Sequence, residues 1–365
     1  MKELLKYKKL LSLDQLWRDR IMTKENQLQN IKWDDLTFSI TPTRSMYEAH
    51  CEFDGEWDKG LLVPYGNVSM SPAAGVLNYG QGIFEGMKAY RSAKDNVVLF
   101  RPEKNALRAA TSSERVCIPP VPKKQFLAAC RQVVRDNIDY VPPRGKGSLY
   151  IRPVIWGTGP VLGVAPAPSY TFLIYVSPVG PYFKSGVKCL NLRITNQFHR
   201  AAPKGTGGHK VIGNYAASLF PRKMAKKEGF DEAIYLNAAN EKFIEEVGSA
   251  NLFAIKDNVL MTPSLDGSIL PGITRDSVLV IAREILHMEV RERSITIKDF
   301  LKADEVFCSG TAVVVTPVGK ITTHNESTTI NKNKMGPITK KIRKILLGIQ
   351  REEIEDPFGW IYPIK

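Results

Sequence analysis

Residues 204–220 read KGTGGHKVIGNYAASLF, a stretch in which one lysine, Lys210, follows a glycine-rich turn. Glycines ahead of a lysine are typical of phosphate-binding loops, so nucleotide binding is the first hypothesis. The pattern fails, because that loop needs Gly-Lys-Ser/Thr, and here His209 precedes the lysine while Val211 follows it. The second hypothesis is a lysine whose amine forms a Schiff base with pyridoxal phosphate.

Two other glycine-rich strings also miss a nucleotide fingerprint. In YGQGIFEG (79–86) and GTGPVLG (157–163), Glu85 and Leu162 stand where the third glycine of the dinucleotide motif should be. Neither string therefore predicts a dinucleotide-binding domain.

A Schiff-base lysine needs partners for the cofactor ring, and the sequence offers two. Glu246, just before a predicted strand, has a carboxylate that could keep the pyridine nitrogen protonated, so that the ring accepts electrons from a breaking Cα–H bond. Tyr215 could hydrogen-bond the ring oxygen. Each residue alone also suits an ordinary structural role, a strand-edge carboxylate or a residue at the rim of the core.

The cofactor phosphate needs donors, and three further features could supply them. The turns LPGITR (270–275) and CSGTAVVV (308–315) offer backbone N–H groups and threonine hydroxyls, an arrangement that suits anions. Arg108 could add a fork-shaped contact from its guanidinium. Ordinary loops and a charge on a helix surface remain the structural alternatives for these features.

Composition excludes several classes of protein. A chain of 365 residues exceeds what one core usually serves, so two domains with a cleft between them are expected. The net charge of +14 is dispersed and comes without a zinc-finger or RNA-binding signature, so we expect no nucleic-acid partner. The five cysteines form no Cys-x-x-Cys pair and the five histidines show no ligand spacing, which predicts reduced thiols and no metal.

The location of the protein is predicted from its first residues. No secretory signal is visible, and cytosol is favoured. The basic amphipathic start MKELLKYKKLLSLDQLWRDR leaves a mitochondrion or plastid as the alternative. Residues 153–183 carry no formal charge, but their prolines rule out a continuous spanning helix, so no membrane partner is expected.

Strands and helices alternate in both halves, which predicts an α/β (α+β) protein with a domain boundary near 180–186. Apolar spacing predicts helices over 123–139, from Thr274 as a possible N-cap toward 288, and from Pro337 onward. Asp257-Asn258 predicts a hairpin within 251–263. Pro221 should kink or interrupt the helix predicted after Tyr215.

Eight ordered segments together resemble the branched-chain amino acid aminotransferases, in their eukaryotic, plant-like form. These are class IV aminotransferases, pyridoxal phosphate enzymes of fold type IV. The segments are YGQGIFEGMKAYR (79–91), LFRPEKNALR (99–108), YIRPVIWGTGPVLGV (150–164), FLIYVSPVGPYF (172–183), GTGGHKVIGNY (205–215), IEEVGSANLF (244–253), LDGSILPGITRDSV (265–278) and EVFCSGTAVVVTPVG (305–319).

The resemblance implies a homodimer of two-domain protomers with the active site at the domain interface. Residues 1–32 would be an N-terminal extension, 33–182 a smaller α/β domain, and 183–365 a larger α/β domain that carries the lysine.

Site residues follow position by position. Lys210 matches the catalytic Schiff-base lysine, Tyr215 the ring-oxygen partner and Glu246 the pyridine-nitrogen partner. The phosphate-binding positions match Arg108, Ile273, Thr274 and Thr311. The substrate-binding positions match Phe38, Tyr79, Phe84, Tyr150, Arg152, Tyr182, Ser249 and Ala312.

The implied activity is transamination of leucine, isoleucine and valine with 2-oxoglutarate, giving branched 2-oxo acids and L-glutamate by ping-pong kinetics. One alternative is a relative that prefers methionine or its chain-elongated homologues. Another is a D-amino acid transaminase or aminodeoxychorismate lyase of the same fold. The resemblance leaves His209 unexplained: a charged imidazole there would lower the pKa of Lys210, or the ring points away.

Overall fold

The computed structural model describes residues 31–52, 55–180, 186–323 and 326–364, and these form two β-sheets with helices packed on them. The first sheet has eight strands in the described residues, in the order β17-β5-β4-β6-β7-β1-β2 with β3 beside β6, and all its pairs are antiparallel. Its strands are β1 (Ser45–Glu52), β2 (Leu61–Pro64), β3 (Gly82–Phe84), β4 (Met87–Arg91), β5 (Val97–Phe100), β6 (Ser148–Gly157), β7 (Ser169–Val179) and β17 (Ile361–Pro363).

Three helices accompany this sheet: α1 (Gly75–Tyr79), α2 (Pro102–Arg115) and α3 (Lys123–Asp136). The predicted apolar stripe of α3 is confirmed, since Phe126 and Cys130 are buried and Phe126 stacks on Phe172 of β7 with ring centroids 5.7 Å apart. The helix ends three residues earlier than predicted. Buried Asn137 stops it, because its side-chain oxygen accepts the backbone N–H of Arg44 at 2.9 Å and ties the helix end to β1.

The second sheet has nine strands in the described residues and closes on itself. The order β10-β9-β8-β15-β14-β11 is completed by pairing of β10 with β11, and β12, β13 and β16 extend this ring. Its strands are β8 (Leu190–Thr195), β9 (Glu232–Leu236), β10 (Ile244–Val247), β11 (Ala250–Lys256), β12 (Val259–Thr262), β13 (Glu289–Glu292), β14 (Glu305–Gly310), β15 (Val314–Thr322) and β16 (Ser327–Thr329). The β11–β12 pair confirms the predicted hairpin.

The helices of the second half are α4 (Gly213–Ala216), α5 (Leu219–Lys227), α6 (Ile273–Val280), α7 (Ile297–Leu301) and α8 (Pro337–Gln350). The interruption predicted near Pro221 is confirmed, since α4 and α5 are separate and Pro221 lies in the first turn of α5. Thr274 as an N-cap was wrong: Gly272 holds the cap position, and a π-helical segment at 281–285 continues α6. Helix α8 begins at Pro337 as predicted, where buried Glu305 accepts the N–H groups of Ile338 and Thr339.

The loop before α4 joins the two sheets. Val211 bridges Ile83 of β3, and the backbone N–H of Phe84 donates to the carbonyl of Lys210 at 3.1 Å. The division at residue 182 remains a prediction, and β17 pairs with β5 of the first sheet although it lies at the end of the chain. Within the described ranges no helix is long and apolar enough to cross a membrane, and no cluster of three or more histidines, cysteines or carboxylates is arranged to hold a metal.

Candidate active site

Lys210 presents its amine to two aromatic rings. Its Nζ donates a hydrogen bond to the hydroxyl of Tyr215 at 2.9 Å, and lies 4.6 Å from the ring centroid of Phe84 and 5.1 Å from that of Tyr215. The backbone N–H of Lys210 donates to Ser112 Oγ at 2.9 Å. Gly207 lets the loop approach the neighbouring turn closely, because a Cβ there would lie 2.2 Å from the carbonyl oxygen of Ser268. The amine is therefore held in a defined position.

Glu246 lies in the same pocket and is buried. Its carboxylate pairs with Arg200 at 2.7 Å and accepts a hydrogen bond from the amide of Asn251 at 2.7 Å. Burial raises the pKa of Glu246 to about 7, although the Arg200 guanidinium favours the charged form. A carboxyl with this pKa can hold or share a proton near neutral pH.

This pKa predicts a pH-dependent cost of folding in the cofactor-free protein. Between pH 4.5, the ordinary pKa of a glutamate, and about 7, folded protein holds a proton that the unfolded chain releases. Protonation of Glu246 therefore contributes fully to the free energy of unfolding below pH 4.5. That contribution is lost as the pH rises toward 7, by up to about 1.4 kcal/mol per pH unit. We expect the Tm of wild type to fall relative to Glu246→Gln between pH 5 and 8. A difference in Tm that stays constant over this range would contradict the assignment.

Arg108 forms a buried two-pronged ion pair. Its Nε and one terminal nitrogen lie 2.7 and 2.8 Å from the carboxylate oxygens of Glu85, and its other terminal nitrogen donates to the carbonyl of Pro271 at 3.1 Å. The Arg108 guanidinium holds the pKa of Glu85 below its usual range despite burial, and Asn105 also donates to that carboxylate. The arginine is fixed at the edge of the pocket.

Replacing Glu85 with glutamine should loosen this anchor. Because one partner of a buried ion pair is lost, we expect a decrease of about 3–5 kcal/mol in the free energy of unfolding. We also expect at least about a tenfold weaker affinity for pyridoxal phosphate, since the Arg108 guanidinium is no longer held in one orientation by two hydrogen bonds to a carboxylate. Denaturant titration and cofactor titration measure the two effects. The control is Glu114→Gln, an exposed position on helix α2, which also carries Arg108. Unchanged cofactor affinity in Glu85→Gln would contradict the anchoring role of Glu85.

Backbone donors converge on the same pocket from two turns. Ile273 and Thr274 form the first turn of α6, whose N-terminus has no side-chain cap, and Gly310 and Thr311 approach from the end of β14. A Cβ on Gly272 would lie 2.1 Å from Asn251 Oδ1, so only glycine fits there. Buried Ser309 Oγ, which lines the pocket, has no hydrogen-bond partner in the described part of the chain. The arrangement suits a phosphate group.

An aromatic wall with one embedded cation lies beside the lysine. The guanidinium of Arg152 is 4.9 Å from the ring centroid of Phe84 and 5.1 Å from that of Tyr150, and it donates to the Tyr150 hydroxyl at 3.1 Å. Phe38 packs edge-on against Tyr150 with centroids 5.1 Å apart. The aromatic wall therefore combines apolar ring faces with the positively charged guanidinium of Arg152.

The other predicted substrate residues lie outside this aromatic wall. Ser249 lines the pocket with Lys210, whereas Ala312 accepts a hydrogen bond from Lys88 Nζ at 3.3 Å on another face of the turn. Tyr79 donates to the carbonyl of Leu162 and makes no described contact with the aromatic wall. Tyr182 lies outside the described residues.

His209 does not provide a charged neighbour for the lysine. Burial lowers the pKa of its imidazole, and nearby Arg115 lowers it further, while its hydrogen bond to the backbone of Thr111 acts in the opposite direction. The lowered pKa disfavours a charged imidazole at position 209 near neutral pH.

The observed groups fit pyridoxal phosphate, since one pocket holds an amine, a buried carboxyl, a hydroxyl and phosphate donors. The family model described as amino-transferase class IV matches residues 82–321 of the chain. The chain is a class IV aminotransferase. Enzymes of this class use pyridoxal phosphate.

Known proteins similar to this aminotransferase extend the match beyond that segment. It is 49% identical to branched-chain-amino-acid aminotransferase 5, chloroplastic, from Arabidopsis thaliana, over 93% of this chain and 81% of the relative. A methionine aminotransferase of the same plant is 41% identical, over 94% and 96%. The crystal structure of the Escherichia coli branched-chain amino acid aminotransferase superposes with a TM-score of 0.77 at 31% identity, covering 88% of this chain and all of that one. The predicted fold and family are confirmed.

Sequence reasoning missed three members of the aminotransferase site. Arg200 and Asn251 hold Glu246, and Glu85 holds Arg108. A signal was present, because a buried carboxylate or guanidinium needs a charged or hydrogen-bonding partner. Arg200 lies only ten residues before the lysine, in QFHRAAPKG, and Glu85 lies inside the string rejected as a dinucleotide motif.

Proposed function

We propose that this aminotransferase transfers the amino group of leucine, isoleucine or valine to 2-oxoglutarate. The observation that carries the proposal is the guanidinium of Arg152 set between the rings of Phe84 and Tyr150 beside Lys210. Its Nε is buried without a hydrogen-bond partner in the described structure. One pocket can then receive an aliphatic side chain on its aromatic faces and the second carboxylate of glutamate on its cation.

The chain's own residues divide the work of the reaction. Pyridoxal phosphate, when bound, supplies an aldehyde that captures the amino group and a ring that accepts the electrons of the Cα–H bond. Lys210 Nζ takes the α-proton and returns it, and Tyr215 orients that nitrogen from 2.9 Å. Glu246 holds a proton toward the ring nitrogen. Arg108, the α6 N-terminus and Thr311 bind the phosphate.

The proposal includes a homodimer whose second protomer helps to close the pocket. Leu162 and Val164 support it, because they are 93% and 89% exposed in the loop between β6 and β7. Two neighbouring apolar side chains left in water are a feature of association surfaces. The hydroxyl of Tyr79 donates to the backbone of Leu162, which ties this loop to α1.

The cellular location stays a proposal. The chloroplastic name of the Arabidopsis relative favours an organelle over the cytosol that the sequence favours. Expression of the full chain with a C-terminal fluorescent protein would test this, and a uniform cytosolic signal would exclude the organelle.

A panel of amino donors tests the activity. With 2-oxoglutarate as acceptor, we expect leucine, isoleucine and valine to give the highest kcat/KM. Methionine is the second candidate, since a relative that is 41% identical is named a methionine aminotransferase. Methionine exceeding leucine at least about tenfold, a difference of 1.4 kcal/mol in transition-state binding, would replace the proposal by that candidate. Turnover of D-alanine without turnover of these L-amino acids would reject it.

A further inference from the structure

A second pocket lies between the sheets, beside the turn that carries Thr311: Ala312 of that turn lines the pocket, and Thr311 does not. It is bordered by β4, helix α8 and the residues that follow β14, with glycines at 145, 147, 180 and 186 along its rim. Three cations line it: Lys88, Arg343 and Arg351. Among the described residues that line it there is no aspartate or glutamate. The pocket therefore concentrates positive charge.

The three cations lack carboxylate partners within the described ranges of the chain. Lys88 donates to the carbonyl of Ala312 at 3.3 Å, and Arg343 donates from one nitrogen to the carbonyl of Val315 at 2.7 Å. The guanidinium of Arg351 makes no hydrogen bond to described residues. Much of the donor capacity of the two arginines thus remains free.

The nearest carboxylates along the chain are already engaged elsewhere. Glu352 pairs with Lys94 at 3.4 Å and accepts from Ser92 at 2.6 Å, and Glu353 pairs with Arg144 at 3.4 Å. Within the described residues, neither of these neighbouring carboxylates supplies the missing negative charge.

The charges act on one another. Burial lowers the pKa of Lys88 to about 7, and Arg351 and Arg343 lower it further. Burial and Arg351 also lower the pKa of Arg343. Tyr90, on the same wall, does not supply a phenolate, because burial raises its pKa to about 12. The carbonyl end of α8 precedes Arg351, but a helix dipole offers about half a charge against three cations.

We propose that this cationic pocket binds a small anion of the phosphate class that carries more than one negative charge. Two guanidinium groups match the geometry of phosphate oxygens, and the lysine adds a point charge. Glycines at the rim allow backbone N–H groups to approach a ligand closely. The inference does not depend on which amino acid the enzyme uses.

Binding of inorganic phosphate to the holoenzyme tests the proposal. With pyridoxal phosphate already bound, the cofactor's own phosphate position is filled, so added phosphate reports on other sites. Calorimetric titration at constant ionic strength, balanced with sodium chloride, should show one saturable site per chain. Arg351→Met and Arg343→Met should each weaken phosphate binding at least tenfold. Lys344→Met, which removes an exposed cation from the same helix, should bind as wild type does.

A second measurement separates a binding role from a structural one. Without phosphate, removal of one of three repelling charges should leave the Tm of Arg351→Met equal to or above that of wild type, with its cofactor absorbance intact. Phosphate should then raise the Tm of wild type more than that of the variant. A lower Tm of the variant without phosphate, no binding beyond that of chloride, or wild-type affinity in both arginine variants would each overturn the proposal.

Discussion

Replacing Lys210 with alanine should lower kcat/KM for leucine and 2-oxoglutarate by at least about 10⁴-fold, because one change removes both the proposed nucleophile and the proposed proton-transfer group. The structure supports so large an effect. The amine donates to Tyr215 at 2.9 Å and faces the rings of Phe84 and Tyr215, and its backbone is fixed by Ser112. Steady-state assays in both directions measure the loss.

Two controls make this result specific. Lys227→Ala removes an exposed lysine at the end of helix α5 and should keep full activity. The Lys210→Ala protein should retain its fold but lose the visible absorbance that the cofactor shows at about 400 nm when joined to a lysine. Activity above one tenth of wild type in Lys210→Ala would remove the lysine from the proposed mechanism.

Exchange of Glu246 for glutamine should lower kcat by about 10²–10³-fold, within the range of a single proton-holding or electrostatic group. Glutamine keeps the shape and can still meet Asn251, but it cannot provide the carboxyl whose pKa burial raises to about 7. It also leaves Arg200 without its partner at 2.7 Å. The kcat should be measured at saturating substrate and cofactor, so that weaker binding does not enter.

The neighbouring residue provides a matched control. Glu245 is also buried, but it is hydrogen-bonded to Asn237 at 2.9 Å and to Ser268, and it does not line the pocket of Lys210. Glu245→Gln should therefore keep kcat within about threefold of wild type, because it alters no side chain that lines the pocket and removes only a neighbouring charge that adds to the raised pKa of Glu246. Equal losses in both variants would mean that strand β10 tolerates no substitution and that Glu246 has no special role.

The local patterns of the sequence were sufficient for elements whose formation depends on nearby residues. The hairpin at Asp257-Asn258 and the start of α8 at Pro337 follow from turn chemistry and apolar spacing, and the structure has both. The N-cap prediction at Thr274 failed because threonine is a common N-cap residue, whereas the helix begins two residues earlier, with Gly272 as its N-cap. The close approach of Asn251 to position 272 admits only glycine there, and this contact cannot be read from the local sequence.

Local sequence patterns could not predict which residues pair over long distances in the chain. The pairs of Glu85 with Arg108 and Arg200 with Glu246 join residues that are 23 and 46 positions apart in the chain, taken as 108 − 85 and 246 − 200. The first pair meets because helix α2 packs against β3, and the second because β8 and β10 lie in one sheet on either side of β9. Periodicity reports which face of an element is buried, and it carries no information on which charge is buried opposite.

The position of β17 in the first sheet has a consequence for synthesis. This strand, Ile361–Pro363, pairs with β5 (Val97–Phe100), whose last residue lies 361 − 100 = 261 positions earlier in the chain. A ribosome therefore makes the other seven described strands of that sheet long before it makes the eighth, and the backbone of β5 stays unpaired along that edge until residues 361–363 have been made. Unpaired edges invite aggregation of nascent chains. The first sheet of this enzyme is thus completed only when Ile361–Pro363 has paired with β5, and a chain shortened before residue 361 would leave that edge of β5 open.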